Sequence, residues 1–461
     1  MTTLVWFRDD LRLEDHPALA AGADDPAGIV ALYVLDEESA GVRPLGGAAR
    51  WWLHGSLDRL AADLAERGVP LVLRRGAAAE VVPAVVAESG ADRVLWNRRY
   101  GAERAHDAAL KEQLRAGGVA AHSFVGNVLF EPGSIVSGQG TAYRVYSAFW
   151  RACLAAPQPP APLPVPAGLR AAPARPRSDA LGDWALRPSD PDWAVELAQR
   201  WTPGEAAAGE RLERFLARSV RAACGEALPA EAAAADYAHA RDFPAIDATS
   251  SLSPHLRWGE VSPRTVWHRA VAAGSGVGAF LSEVGWREFA WHTAFGAPDL
   301  HLRGLNPQFD AFPWRTEPGP ELGAWQRGET GFPIVDAGMR ELWRTGFMHN
   351  RVRMVVASFL TKNLLIDWRV GEAWFWDTLV DADAASNPFN WQWVAGCGAD
   401  AAPYFRVFNP LTQQKKFDPA GEYVERWAPD SLLTPELVDL RASRVRALAA
   451  YDQARAAGFA G

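Results

Sequence analysis

Ten prolines between residues 157 and 191, including the run PQPPAPLPVP, split this 461-residue chain into two parts of different periodicity. Proline at that density removes backbone donors and fixes φ, so the segment stops helices and runs extended. Before it, short β-branched or apolar runs alternate with helical patterns. TLVWF (3–7), GIVALYVL (28–35), PLVLR (70–74) and DRVLWN (92–97) read as strands, and VAAHSF (119–124) as a further one. The stretches near 48–67, 77–89 and 102–117 carry apolar residues at three- and four-residue spacing and read as helices. Such a βαβ series predicts a parallel, doubly wound sheet. From about residue 195 the period is helical throughout, without a strand ladder or an internal repeat. The expected architecture is an α/β domain over 1–130, a Pro-rich connector over 131–194, and a larger all-α domain over 195–461.

Several function classes drop out. The net charge of −8 disfavours nonspecific coating of DNA, so any nucleic-acid contact needs a local basic surface. The start, MTTLVWFRDDLRLEDH, is charged by position 8 and is not a signal peptide. No run approaches the ~18 to 20 apolar residues of a membrane span. Cys153, Cys224 and Cys397 form no CxxC, so neither a disulfide framework nor a zinc ribbon is expected, in keeping with a reducing cytoplasm. No HExxH, GxSxG or P-loop occurs, and no metal site is expected. The loop after the first strand, RDDLRLEDH, has no glycine, so a dinucleotide pyrophosphate is not expected on it. The unusual total is 21 tryptophans, 14 of them after residue 195. Core filling accounts for any one of them more easily than for the set.

Four stretches have a density of polar and aromatic groups that invites chemistry. In DATSSLSPHLRWGEVSP (247–263), the hydroxyls of Thr249, Ser250, Ser251 and Ser253 precede a proline-led helix, either as an anion site or as a plain N-cap. In SEVGWREFAWHTAF (282–295), Glu283 and Arg287 are i,i+4 partners flanked by Trp286 and Phe280. In GFMHNRVRM (346–354), Asn350, Arg353 and Met354 share a helix face while Arg351 points elsewhere, and His349 reads as structural. DADAASNPFNWQW (381–393) reads as a dense loop, a poor helix and a poor strand. A buried Asp381 or Asp383 there needs a cation, and Arg353 is the candidate.

These residues resemble the DNA photolyase and cryptochrome family, most closely the bacterial cyclobutane pyrimidine dimer photolyases. The resemblance is carried by LVWFRDDLRLEDHPAL, RDFPAIDATSSLS, WREF, TGFPIVDAGMRELWRTGFMHNRVRM, LLIDWRVGE and NWQWVAGCGADAAPYFRVFNP, in family order over nearly the whole chain. It implies an antenna domain, a helical domain burying FAD, and light-driven repair in which excited reduced FAD lends an electron to a dimer flipped out of DNA. Photolyases are among the base flippers. The matching flavin positions are Tyr237, Thr249, Ser250, Ser251, Leu252, Ser253, Phe280, Arg287, Asn350, Arg353, Asp381, Asp383 and Asn387. Arg353 and Asp381 are expected to pair beside the flavin ring, and Asn387 to sit at its N5 as donor or acceptor. The resemblance places Trp286, Met354 and Trp393 around the lesion, with Glu283 as its hydrogen-bond partner and Asn350 beside it. It makes Arg241, Arg351, Gln413 and Lys415 candidates for DNA contact. Trp391, Trp368 and Trp314 match an electron-transfer chain to the surface.

Departures sharpen the reading. Phe280 stands where relatives often have Trp, and Ser251 where some have a basic residue. The two histidines of (6-4) repair are absent at Asn350 and Met354, and three cysteines exclude the iron–sulfur branch. Around YGAERAHD (100–107) the chain keeps Glu103 but lacks the neighbouring amide, which leaves 8-hydroxy-deazaflavin and methenyltetrahydrofolate as possible antennas. The expected partner is UV-damaged DNA, the expected state a monomer, and the alternative activity that of a cryptochrome-type blue-light receptor.

Overall fold

The structure, a computed structural model, describes residues 2–223, 237–274, 276–315, 317–400 and 405–458. Cys224 and residues 401–404 of the last family motif lie outside them. Five parallel strands, β1 (Thr3–Phe7), β2 (Ile29–Leu35), β3 (Leu71–Arg75), β4 (Arg93–Asn97) and β5 (Ala120–Phe124), form one sheet in the order β3-β2-β1-β4-β5. Alternation sends Leu4, Trp6, Val30 and Leu32 into one core and Val5, Phe7, Ile29 and Ala31 into another. Both faces are therefore covered, and continuous apolar strands follow from that. The connecting helices are α1 (Pro17–Ala23), α2 (Gly47–Ala65), α3 (Ala78–Ser89) and α4 (Arg104–Ala116). The first is too short for its period to show in the sequence.

The proline-rich chain is docked rather than free. Ala171 bridges Ile29 at the start of β2, and Leu73 of β3 bonds to Ser178 and Asp179. Ahead of the prolines lies α5 (Tyr146–Ala155), which shares a core with the second half of the chain. That half contains α6 (Val195–Arg200), α7 (Glu205–Ala223), α8 (Tyr237–Ala240), α9 (Ser253–Arg257), α10 (Pro263–Ala273), α11 (Gly278–Gly296) and α12 (Pro320–Arg327). It continues with α13 (Pro333–Thr345), α14 (Asn350–Ser358), α15 (Trp368–Thr378), α16 (Ser386–Ala395), α17 (Pro410–Phe417), α18 (Glu422–Trp427) and α19 (Leu440–Gly458). Among the described residues, no helix is long and apolar enough to cross a membrane.

The glycine-free loop RDDLRLEDH clamps the two halves together. Arg12, 1% exposed, donates to Glu14 O (3.0 Å), Asn127 Oδ1 (2.7 Å), Gly259 O (2.8 Å) and Asp15 O (2.8 Å). Gly259 has φ +63°, and a Cβ there would strike the Asp9 carbonyl, so only glycine fits this approach. Asp15, fully buried, takes a two-pronged bond from Arg264 (3.0 and 2.7 Å) and another from Ser262 (2.5 Å). Glu260 closes the same seam by accepting from Trp52 Nε1 (3.1 Å), Ser56 Oγ (2.5 Å) and Gly204 N (2.6 Å). These charges are buried but each is met by several partners, the condition under which burial is tolerated. Asp15→Ala strands the Arg264 guanidinium. We expect urea denaturation to show a loss of about 3–5 kcal/mol, against a smaller loss for Asp15→Asn.

Candidate functional site

The dense stretch 381–393 is mostly helix. The structure corrects the expectation of a loop. Asp383 Oδ1 accepts from the N–H groups of Ala385 (2.8 Å) and Ser386 (2.5 Å), capping α16 at its first turn. Proline is harmless within that turn, where its missing donor has no intrahelical partner. Only 381–385 form the approach loop. Gln392 binds Leu300 O (2.6 Å), Arg303 O (2.8 Å) and Leu305 N (2.9 Å), so it fixes the neighbouring loop rather than a ligand.

Asp381 faces Arg353 of α14. The expected pair forms, with Nη2 2.9 Å and Nη1 3.2 Å from the carboxylate, while Nε holds Met348 O at 2.7 Å. Ser253 Oγ adds a 2.7 Å bond to the same carboxylate. In the first turn of α16, Asn387 donates through Nδ2 to Glu372 Oε1 (2.8 Å) and Glu372 O (3.1 Å). Both partners only accept, so they fix the amide with Nδ2 toward Glu372 and Oδ1 away from it. That oxygen accepts no bond from any described residue. Glu372, its side chain 2% exposed, is held on its other side by Arg43 (2.7 and 2.9 Å), from the loop after β2. Sequence reasoning missed both Glu372 and Arg43, since 329 residues separate them.

The hydroxyl run is less uniform than its sequence. Ser251 is left-handed (φ 49°), Leu252 is buried, and α9 begins at Ser253 without a side-chain cap. Ser253 and Asn350 are exposed, and Thr249, Ser250 and Ser251 half-exposed. Arg287 does not pair with Glu283, as the i,i+4 spacing had suggested. It donates to Asn127 O (2.7 Å) and lies 3.5 Å from Glu288, while its buried Nε has no partner. Burial pushes the Glu288 carboxyl up to about 7. Glu283 pairs instead with Arg241, which in turn lies over Tyr237, and Tyr237 meets Phe280 edge-on at 5.9 Å.

Trp286, Met354 and Trp393 are half-buried. Arg351 binds Asp242 (2.6 Å) and approaches Met354 Sδ (3.9 Å). Both Arg241 and Arg351 thus have internal acidic partners, whereas Lys415 on α17 is exposed and Gln413 half-buried. His349 caps α14 through Nδ1, and burial lowers its ring to about 4. Trp391 and Trp368 are 2% and 1% exposed, and Trp314 is partly exposed, all around one core. Gly371, one turn after Trp368 on α15, has no room for a Cβ because the Trp391 indole lies on it. Trp314 is held near Trp368 by the bridge between Arg315 and Ile366.

A crevice of about 110 Å³ opens where the strand order reverses, beyond the carboxyl ends of β1 and β4. Tyr33, Arg43, Arg99 and Glu103 line it from the sheet side. Trp291, Trp376, Arg287 and Asp383 line it from the helical side. Arg43 lies over Trp376 at 4.2 Å, so one residue joins this crevice to Asn387 through Glu372.

Comparison with known proteins bears on the family and the fold. Residues 3–167 match the DNA photolyase model, and residues 280–453 the FAD binding domain of DNA photolyase. A deoxyribodipyrimidine photo-lyase of Agrobacterium fabrum is 48% identical, over 93% of this chain and 87% of that protein. The crystal structure of a bacterial class III photolyase from Agrobacterium tumefaciens superposes with a TM-score of 0.90 at 44% identity, covering 98% of both chains. A Synechocystis cryptochrome structure gives 0.81 at 28% identity, over 95% of this chain and 92% of that one. The chain belongs to the DNA photolyase family.

Proposed function

We propose that the protein is a deoxyribodipyrimidine photo-lyase that uses FAD and blue light to split cyclobutane pyrimidine dimers in DNA. The observation that carries this reading is the meeting of the Arg353–Asp381 pair with an Asn387 amide whose carbonyl is left free. The residues present fit FAD. The buried Arg287 Nε lacks a partner, and the exposed amide of Asn350 adds a further donor. In this reading Arg287 and the hydroxyl run hold the pyrophosphate, where a guanidinium and a helix start favour anionic oxygens. Arg353 would provide a fixed positive charge for the flavin ring, and Asn387 Oδ1, which can only accept, would favour a protonated N5. When bound and reduced, FAD supplies the excited electron that opens the cyclobutane ring and takes it back, without net redox change.

The chain's own residues would do the rest. Trp286, Met354 and Trp393 would wall the flipped dimer, and Glu283, paired with Arg241, would accept its hydrogen bonds. Trp314, Trp368 and Trp391 would bring electrons inward from the surface, since indole is a readily oxidised neutral side chain. The aromatic-walled crevice with Glu103 would hold the antenna, a deazaflavin or methenyltetrahydrofolate. UV-damaged DNA would be the partner.

Illumination of the reduced protein with an oligonucleotide bearing one thymine dimer should restore thymine absorbance. Dimer loss no faster than in darkness would transfer the protein to the cryptochrome-type sensors, which share its fold. Trp391→Phe should abolish blue-light reduction of the oxidised flavin band while sparing repair by chemically reduced enzyme. Equal loss of both would contradict the role given to Trp391.

A further inference from the structure

We infer that Arg144–Tyr146, in the segment the sequence assigns to the connector, forms a third element of the lesion pocket, with Tyr146 as the positioning residue for Trp286. The inference rests on the repair reading above. The Tyr146 ring lies face to face on the Trp286 indole, with centroids 3.7 Å apart and planes 12° from parallel. The other rings touching Trp286 do so edge-on or tilted, Phe289 at 6.2 Å and Phe389 at 6.5 Å. One indole face is therefore covered, and the half-buried residue keeps the other for a ligand.

Tyr146 itself is immobilised. Its hydroxyl donates to Ser282 O at 2.6 Å and lies 2.7 Å from Ser282 Oγ. Trp150, one turn later on α5, runs parallel behind it at 6.3 Å and 12°. A Cβ on Gly285 of α11 would collide with Trp150, so this glycine lets the two helices close until the rings stack.

The same short segment governs the second indole. Trp393 Nε1 donates to Asp400 O at 3.0 Å, and Asp400 N donates to Arg144 O at 3.0 Å. Asp400 sits in the left-handed region at φ 52°. Trp286 and Trp393 are thus referenced to residues two apart in one stretch of chain, Tyr146 and Arg144. Their relative placement, which sets what fits between them, depends on that segment. A core tyrosine with no such role would not need to cover the face of this particular ring while the loop beside it holds the other.

The test compares Tyr146→Leu and Tyr146→Phe as FAD-loaded holoenzymes. Dark binding is measured to a dimer-bearing oligonucleotide and to its undamaged counterpart, together with repair under saturating DNA. We expect Tyr146→Leu to bind the dimer about three- to tenfold more weakly, the scale of one aromatic pair. Undamaged DNA binding, the flavin spectrum and saturated repair should stay within about twofold of wild type, and Tyr146→Phe should recover most of the lost affinity. Wild-type dimer affinity in Tyr146→Leu, or equal weakening toward both DNAs, would overturn the inference. A wild-type protein that did not prefer the dimer would instead overturn the repair reading, a result visible before any variant is made. Should Tyr146→Leu lose FAD, Tyr146→Met, which retains apolar volume, carries the same expectations.

Discussion

Glu372 is a carboxylate taken almost wholly out of water, and it persists because groups from both halves of the chain converge on it. Arg43, beyond the sheet, neutralises it with two hydrogen bonds; Asn387, in the helical half, donates the third. A buried carboxylate without its cation is costly, of the order of 3–5 kcal/mol for a broken pair. The position of Arg43 is thus written into the orientation of the Asn387 amide. In this way the seam between the halves reaches the candidate flavin site directly, and the crevice lined by Arg43 is one residue removed from it.

The rest of the seam follows the same physics. Arg12, Asp15 and Glu260 are buried with each charge answered by several donors or acceptors. Such a network tolerates little displacement, because any shift leaves a charge unpaired in a low dielectric. A chain that must hold an amide, a cation and two indoles in fixed relation gains from that stiffness. The charged loop after β1 occupies the place where a glycine-rich loop would cradle a dinucleotide, and it serves instead as the clamp.

The strands were legible because five short apolar runs alternate with helical periods, and the Arg353–Asp381 pair because a buried acid demands a cation. The start of α16 was not legible. Its composition is poor for a helix, and it forms because Asp383 supplies the cap and α15 the packing. The spacing of Glu283 and Arg287 suggested a local pair, but Arg241, just after α8, wins Glu283, and Arg287 turns toward Asn127. Spacing within one helix says which partners are near, not which distant partner is better placed. The stack of Tyr146 on Trp286 lies across 140 residues and leaves no trace in local pattern. The roles of the matching residues came from family resemblance, and the geometry adds direction, as in the orientation of the Asn387 amide.

That direction is the most exposed part of the account, and nitrogen NMR reads it directly. Reduced holoenzyme carrying FAD labelled with ¹⁵N at N5 should show an N5–H hydrogen-bonded to a carbonyl. In Glu372→Leu the amide is released, and that resonance should move. An N5 resonance at the same position in both proteins would contradict the claim that Glu372 fixes the Asn387 carbonyl toward the flavin.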